Sequence, residues 1–480
     1  MAPHVLSFNL KLAFGIGQAA EGLKNAAFGT FLIFYYNQVL GLSGTMAGIA
    51  VGLALVVDAF TDPLAGSLSD HWQSPRGRRH PFMYASIVPL CISFYFLFNP
   101  LVSSETALFI WLLVFTNATR TAMSLYHVPH IALGAEMSDD YNQRSTLVGY
   151  RMFFSNVGVL FVFLIGFGFF FVPTDTFANG QLNAAAYPPF ALLLAVLMAI
   201  TIFWSAWGTR SIIPHLPKVP ATPPVSLGRV IIRVFEDVFA AMHSVSFRWL
   251  FSGVLMVFVM VGVNSALDLY VFTYFWELDR PSILMVIVSY PIGVMLGAFF
   301  TPTILGRWGK KAGLIFGGLS WPFWQALPII LRLLGWFPEN SDALLIPLLI
   351  GIKLVQGACT VQANIAFGSM VADVVDEHEF ESGKRQEGIF FAAASFSGKA
   401  TTGVGNIIAG FALDIISWPR GADIRTAADI PPETIFNLGI VYGPLVASLG
   451  LLSIWCYAHY KLTKERHNEI LQTLIERRAQ

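Results

Sequence analysis

Long apolar stretches alternate with short polar joints along almost the whole chain. Because about 20 apolar residues in a helix cross a bilayer, this pattern predicts about twelve membrane-spanning helices. The expected spans are residues 12–38, 45–70, 82–99, 106–136, 147–173, 187–209, 249–275, 282–305, 313–334, 344–372, 387–416 and 436–459. The chain is therefore predicted to be an all-α polytopic membrane protein.

Composition supports this prediction and excludes other classes. Hydrophobic residues make up 55% of the 480 residues and charged residues 12%, whereas soluble domains carry about 25% charged residues. The 29 Lys and Arg residues balance 29 Asp and Glu residues, so net charge does not favour a nucleic-acid partner. The sequence also lacks a G-x-S-x-G elbow, an HExxH pair and a phosphate-binding glycine-rich loop, which argues against an enzyme.

The joints between spans alternate in charge, and basic joints mark the cytoplasmic side of a membrane protein. The joints at 174–186 and 335–343 contain no Lys or Arg. Basic residues follow the second span, the eighth span and the last span, at Arg76, Arg78, Arg79, Arg307, Lys310, Lys311, Lys461, Lys464, Arg466, Arg477 and Arg478. We therefore expect both termini in the cytoplasm and the chain in the plasma (inner) membrane.

A proline-rich stretch, Ser211–Ser226, separates the sixth span from the seventh and disfavours a continuous helix. The following piece, 227–243, is amphipathic, which fits either a helix on the inner membrane surface or a plain connecting helix. The predicted domains are an N-terminal six-helix bundle, a cytoplasmic linker, a C-terminal six-helix bundle and a cytoplasmic tail, at 1–210, 211–245, 246–462 and 463–480.

The two halves resemble each other. The sequence IALG at 131–134 recurs as IAFG at 365–368, and each copy is followed by an acidic turn, a basic residue and a Phe-Phe pair. The basic joint after the second span is echoed by Gly306–Lys311. Paired, pseudo-symmetric six-helix halves are typical of secondary transporters, which bind solute near the midplane between the repeats. The alternative is chance similarity among apolar, glycine-rich helices.

Two carboxylates lie inside the second span, in VGLALVVDAFTDPLAGSLSDHWQSPRGRRHPF, residues 51–82. Asp58 and Asp62 are one helical turn apart, at a depth where an ionised carboxylate costs about 2.5 to 3.5 kcal/mol. Carboxylates at this spacing also repel each other. They therefore require a shared proton, a bound cation or a basic side chain from another helix.

A few other polar residues inside spans are candidates for binding solute. Glu21 and Lys24 are three residues apart, so they form either a local ion pair or a solute contact. Asn264 and Asp268 lie one turn apart near the outer end of the seventh span, where Asp268 either reaches the interface or contacts solute. His127 fits either a core histidine or a solute contact.

Lys399 lies deep in the eleventh span, within SFSGKATTGVGN, where small residues allow helices to approach closely. A buried lysine needs an anion, and Asp58 and Asp62 are the acids without a local partner, while Arg120 is interpreted as a structural tether. We therefore expect Lys399 and a bound cation to compete for the two carboxylates. A permanent buried salt bridge is the alternative.

Three stretches resemble the glycoside–pentoside–hexuronide:cation symporters of the major facilitator superfamily: DAFTDPLAGSLSD with a basic loop ending in HPF, the opening LAFGIGQAAEGLKNAAFGTFLIFYYNQVLGLS, and the lysine of the eleventh span. The resemblance covers essentially the whole chain and implies a major facilitator fold. It also implies that a coupling ion, Na⁺ or H⁺, is bound by Asp58, Thr61 and Asp62 with Ser124, and that Lys399 is the coupling lysine. With sodium, Asp58 and Asp62 would be the metal ligands.

The positions that bind sugar in this family differ here. The first-helix carboxylate falls near Gly22, beside Glu21, and the carboxylate and tryptophan of the fourth helix fall at His127 and Ile131. The solute is therefore left open as a sugar, a sugar-like solute or a less polar molecule such as a lysolipid.

The sequence thus predicts a cation-coupled symporter that works by alternating access, with no cofactor besides the coupling ion. Its expected partners are a small solute, a monovalent cation and the lipid bilayer, and we expect a monomer. Other possibilities are a uniporter or efflux carrier of the same fold, or a membrane receptor. We expect the basic loop to hold an inner gate closed with cytoplasmic acids, through Arg76, Arg78, Arg79 and Asp70, although orientation bias alone also explains its charge.

Overall fold

The structure is a computed structural model that describes residues 6–138, 140–216, 228, 229, 232, 236, 239–383, 387–421 and 424–479. In this part of the chain the regular structure is helical, without a β-strand. Most of the predicted amphipathic piece, 227–243, lies outside the described residues.

The chain divides into two compact units. The first contains Met1–Val230 and Gly410–Ile430, and the second contains Ile231–Ala409 and Pro431–Gln480. The helices of the first part of the chain are α1 Phe8–Ile16, α2 Gln18–Ala27, α3 Gly44–His71, α4 His80–Ala85, α5 Ile87–Leu97, α6 Glu105–Glu136, α7 Tyr141–Ile165 and α8 Tyr187–Gly208. Those that follow are α9 Val245–Tyr270, α10 Arg280–Trp308, α11 Lys310–Leu333, α12 Leu345–Ser382, α13 Glu387–Ile415, α14 Pro432–Ile440, α15 Val446–Ala458 and α16 Lys464–Ala479.

Among the described residues, 10 helical segments are long and apolar enough to cross a membrane. The first predicted span is instead a series of shorter pieces, α1 and α2 followed by π-helical turns at Phe28–Leu32 and Tyr35–Val39. The eleventh predicted span corresponds to α13. A π-helical turn contains an additional residue, so it shifts which side chains face the neighbouring helices, and hydropathy alone does not reveal it.

Helix α3, which carries the two predicted ion-binding acids, is held firmly where it begins. Ser43 caps it by accepting a hydrogen bond from the Met46 backbone N–H at 3.1 Å. The N–H groups of Gly44 and Thr45 donate to the Asp414 carboxylate at 3.0 and 2.8 Å. A negative charge is favourable here because free N–H groups and the helix dipole make a helix N-terminus positive.

Glycine allows this contact. A Cβ atom added to Gly44 would lie 2.6 Å from the Gly410 carbonyl oxygen, and one added to Gly410 would lie 2.1 Å from the Gly44 oxygen. Only glycine permits backbones to approach this closely. The pair therefore fixes the beginning of α3 against the end of α13 within the first unit.

In the second unit, the predicted cytoplasmic tail forms helix α16. Ile470 and Leu474 of this helix are buried in one apolar cluster with Val374, Phe390 and Tyr457. The tail is therefore a packed part of the unit.

Candidate functional site

The acids of α3 face α6, and a serine of α6 lies between them. Ser124 Oγ lies 2.9 Å from Asp58 Oδ1 and 2.6 Å from Asp62 Oδ1. Asp58 and Ser124 are only 4% and 3% exposed, whereas Asp62 is half-buried. The spacing of one turn that separates Asp58 from Asp62 along α3 thus allows one hydroxyl on α6 to contact both carboxylates.

Thr61 adds a second hydroxyl to this cluster. Its Oγ1 lies 3.4 Å from Ser124 Oγ and donates to the Asp58 backbone carbonyl at 3.2 Å. The four side chains present only oxygen atoms, the ligand type that hard cations bind. No group of three or more His, Cys, Asp or Glu side chains that could hold a metal occurs among the residues described. The donor set therefore fits a proton or a hard monovalent cation better than a transition metal.

A buried arginine completes the cluster. Arg120 Nη1 lies 3.4 Å from Asp58 Oδ2, and the guanidinium stands over the Phe28 ring at 5.2 Å. Arg120 is 8% exposed. The sequence interpretation treated Arg120 as a tether and did not assign it to this cluster. A signal was present, because Arg120 and Ser124 are one turn apart on α6, as the two acids are on α3.

Lys399, the predicted competing cation, is half-buried on α13 in the second unit. Its interaction with Asp58 and Asp62 stays a prediction. Within the first unit, the cation that the structure places beside Asp58 is Arg120.

The predicted solute residues of the first unit form a second polar group. Lys24 Nζ donates to Glu21 Oε1 at 3.1 Å, and Asn25 donates to the same oxygen at 3.0 Å. The local ion pair considered for Glu21 and Lys24 is therefore present. His127 interacts electrostatically with Glu21 and Lys24 of this pair and with Asp62 of α3.

The two histidines of α6 differ in their surroundings. His130 is fully buried, with Nε2 2.8 Å from the Phe14 carbonyl oxygen and its ring stacked on Phe14 at 4.4 Å. It is a core residue, whereas His127 is half-buried and faces charged groups.

The second unit contains its own buried polar cluster around Asp268 of α9. The Tyr442 hydroxyl donates a hydrogen bond to Asp268 Oδ1, and Lys353 of α12 interacts electrostatically with the same carboxylate. Lys353 Nζ also donates to Gln325 Oε1 of α11 at 2.9 Å. Asp268 therefore has partners within the unit and does not depend on reaching the membrane interface.

Asn264, one turn before Asp268, is 4% exposed, and its side-chain oxygen accepts no hydrogen bond from the residues described. The buried Asn264 side-chain oxygen can therefore still accept a hydrogen bond beside Asp268, the residue predicted to bind solute with it. The sequence interpretation did not assign Gln325, Lys353 or Tyr442 to solute binding; of these, only Lys353, an ionisable residue inside a predicted span, carries a sequence signal for a functional site.

The basic loop after α3 is largely paired with acids. Arg79 forms ion pairs with Asp70 and with Glu136 of α6, the latter at 2.7 Å, and donates to Ser69 at 2.7 Å. Arg78 contacts Glu136 at 2.8 Å. In the second unit, Lys310 forms the equivalent contact with Asp373 of α12 at 2.7 Å.

Arg76, the remaining predicted gate arginine, is exposed and forms no ion pair with a described residue. The predicted gate set therefore contains two arginines bound to acids and one that is not. The role of these residues in gating stays a prediction.

Comparison with known proteins identifies the family. The family model described as "MFS/sugar transport protein" matches residues 13–464. The chain belongs to this family. The predictions of a transporter, of the major facilitator fold and of a multi-pass membrane protein are thereby confirmed, as is the prediction that the chain is not an enzyme.

Individual relatives of this transporter are distant in sequence but match over most of their length. An isoprimeverose transporter of Lactiplantibacillus pentosus is 21% identical over 85% of this chain and 81% of its own length. A protein of Escherichia coli K12 named as a candidate glycoside/cation symporter, YagG, is 24% identical over 99% of this chain and 96% of its own. The crystal structure of a D-xylose–proton symporter superimposes with a TM-score of 0.61 at 14% identity, over 95% of this chain and 98% of that one.

Proposed function

We propose that this transporter couples the movement of a monovalent cation, Na⁺ or H⁺, to symport of a sugar or sugar-like solute by alternating access. The observation that carries the proposal is the convergence of two carboxylates and two hydroxyls, from Asp58, Asp62, Thr61 and Ser124, inside an apolar helix pair. The names of the relatives, a glycoside/cation symporter and an isoprimeverose transporter, support the class of solute and the coupling.

Charge explains how an ion would act at this site. The carboxylates of Asp58 and Asp62 carry two negative charges, and Arg120 carries one positive charge. One monovalent cation balances these three groups, so its arrival removes a charge that is costly to expose to an apolar environment. We propose that the Lys399 ammonium balances this charge when the ion has left, so that occupancy of the ion site and the conformation of the transporter are linked.

Polar side chains in both units suit a hydroxyl-rich solute. Glu21, Lys24 and His127 in the first unit, and Asn264 and Asp268 in the second, offer the donors and acceptors that orient sugar hydroxyls. We propose these five as solute contacts. We also propose an inner-membrane monomer with both termini in the cytoplasm, which the basic joints support.

Uptake into proteoliposomes tests the proposal. Purified protein would be challenged with inward gradients of Na⁺, Li⁺ or H⁺ and a panel of radiolabelled mono- and disaccharides and glycosides. We expect at least one solute to accumulate above its equilibrium level with one gradient and not after that gradient is collapsed by an ionophore. Uptake that only equilibrates, whatever the gradient, would show a uniporter.

A further inference from the structure

A cavity of about 620 Å³ opens in the first unit beside the basic loop. Arg76 from the loop and Arg210 from the segment after α8 both contribute to its wall, together with Tyr84 and Trp207. The cavity has the size of a small-molecule site. It is separate from the Asp58 cluster and shares no residue with it.

The two arginines of this cavity differ from their neighbours. Arg78 and Arg79 in the same loop are bound to acids, whereas neither Arg76 nor Arg210 forms an ion pair with a described residue. Arg210 instead lies over the Trp207 ring, 3.3 Å from its centroid. Two like charges on one cavity wall without acids favour a bound anion, and guanidinium groups pair well with phosphate.

An apolar groove adjoins the cavity. It has a similar volume, about 620 Å³, and is lined by Ile87, Ala199, Ile200, Phe203, Trp204 and Trp207 of α5 and α8. Phe203 and Trp207 line both spaces. Both side chains are 51% exposed, on a helix face that also exposes Ile200 and Trp204. The basic cavity therefore continues into a groove suited to a hydrocarbon chain.

We propose that the two spaces form a binding site for an anionic phospholipid of the leaflet on the basic-loop side. The phosphate would lie between Arg76 and Arg210, and an acyl chain would lie along the groove between α5 and α8. Basic pockets at the surface of membrane helices recognise anionic lipid headgroups in this way. A soluble anion would use the arginines but would leave the apolar groove without a function.

Lipid binding to the intact protein tests this site. Full-length protein in neutral detergent would be titrated with phosphatidylglycerol, and bound lipid would be counted by native mass spectrometry, with phosphatidylcholine of the same chains as the comparison lipid. The variants are Arg76→Gln with Arg210→Gln, and Ala199→Trp, which fills the groove without changing charge. Arg307→Gln is the matched control, because Arg307 is an exposed arginine of the equivalent basic joint in the second half.

We expect the double arginine variant to bind phosphatidylglycerol roughly 30-fold more weakly, since each basic residue near a headgroup contributes a few-fold. Ala199→Trp should weaken binding as well, and Arg307→Gln should remain within about twofold of the parent. Equal binding of phosphatidylcholine, or unchanged binding by the arginine variant, would overturn the proposal. Displacement of the lipid by inorganic phosphate, together with an inert Ala199→Trp, would show a soluble-anion site instead and would also overturn it.

Discussion

The two halves of the transporter place a basic side chain at nearly the same position and use it differently. Arg120 of α6 and Lys353 of α12 are related by almost the same offset that relates Ile131 to Ile365 in the repeated IALG and IAFG segments. Arg120 pairs with Asp58 on α3, and Ser124, one turn along α6, contacts both Asp58 and Asp62. Lys353 meets one carboxylate, Asp268, among neutral partners.

This difference suggests how the two halves of one transporter can divide ion binding and solute binding between them. The contacts described for the cluster of the first half join two acids and one base, and we expect a coupling cation to bind among them. The cluster of the second half has one acid for one base, surrounded by the Tyr442 hydroxyl and the Gln325 amide, which suits a neutral, hydroxyl-rich solute. We therefore expect ion affinity to depend on the first half and solute affinity to be more sensitive to the second.

The largest expected effect is on stability, from breaking the buried pair of the first half. Arg120→Gln leaves Asp58 buried without its cation, which we expect to lower the free energy of unfolding by about 3 to 5 kcal/mol. The double variant Asp58→Asn with Arg120→Gln should recover part of this loss. Denaturant unfolding in detergent measures both; a double variant no more stable than Arg120→Gln would show that the pair is not coupled.

Removing one acid should uncouple transport from the ion. We expect Asp62→Asn to reduce gradient-driven uptake by about 100-fold or more, because even indirect partners of a bound ion change affinity by about 10- to 100-fold. Uptake into proteoliposomes is the measurement, and Asp175→Asn, an exposed acid of the joint at 174–186, is the control. Retained ion-driven uptake in Asp62→Asn would remove the acid from the ion site.

A crossed pair of variants separates the two halves directly. Ser124→Ala should raise the ion concentration needed for half-maximal uptake by about tenfold and change the solute KM little. Asp268→Asn should do the reverse, raising the solute KM by about tenfold. Uptake kinetics at varied ion and varied solute concentrations provide both constants. Identical shifts of both constants in both variants would contradict the division of tasks.

The smallest expected effect concerns the two basic joints. Arg79 is 4% exposed and bonds to several groups, whereas the side chain of Lys310 is 40% exposed in its pair with Asp373. Because solvent screens exposed pairs, Arg79→Gln should cost about 1 kcal/mol more stability than Lys310→Gln. Thermal unfolding of the two variants side by side measures the difference. Equal losses would mean that the joints contribute alike.

The sequence predicts the first-half cluster well because its signal is local. Asp58, Asp62 and the spacing that aligns them are visible in one helix, and the cost of burying acids predicts that partners exist. Ser124 was identified only through the resemblance to a family. Arg120 was not assigned to the cluster, because periodicity shows which face of a helix is polar and does not show which neighbouring helix that face meets.

The second-half cluster was less predictable for the same reason. Asp268, Gln325, Lys353 and Tyr442 come from four separate helical segments, so no local spacing in the sequence connects them. Likewise, the π-helical turns after α2 preserve the apolar character of the first span and so leave its hydropathy unchanged. Both features depend on how neighbouring helices pack, and neither the composition of a span nor the spacing of its polar residues shows that packing.

The position of Ser124 also bears on the coupling ion. A hydroxyl has one hydrogen to donate, yet Ser124 Oγ lies 2.9 and 2.6 Å from oxygens of two carboxylates. The single hydroxyl hydrogen of Ser124 cannot be donated fully to two ionised carboxylates at once. Three oxygens this close therefore need a second hydrogen or a metal cation between them. A coupling proton and a coupling metal cation would each satisfy this requirement, so solute uptake driven by a pH gradient in sodium-free buffer should be compared with uptake driven by a Na⁺ gradient at equal pH.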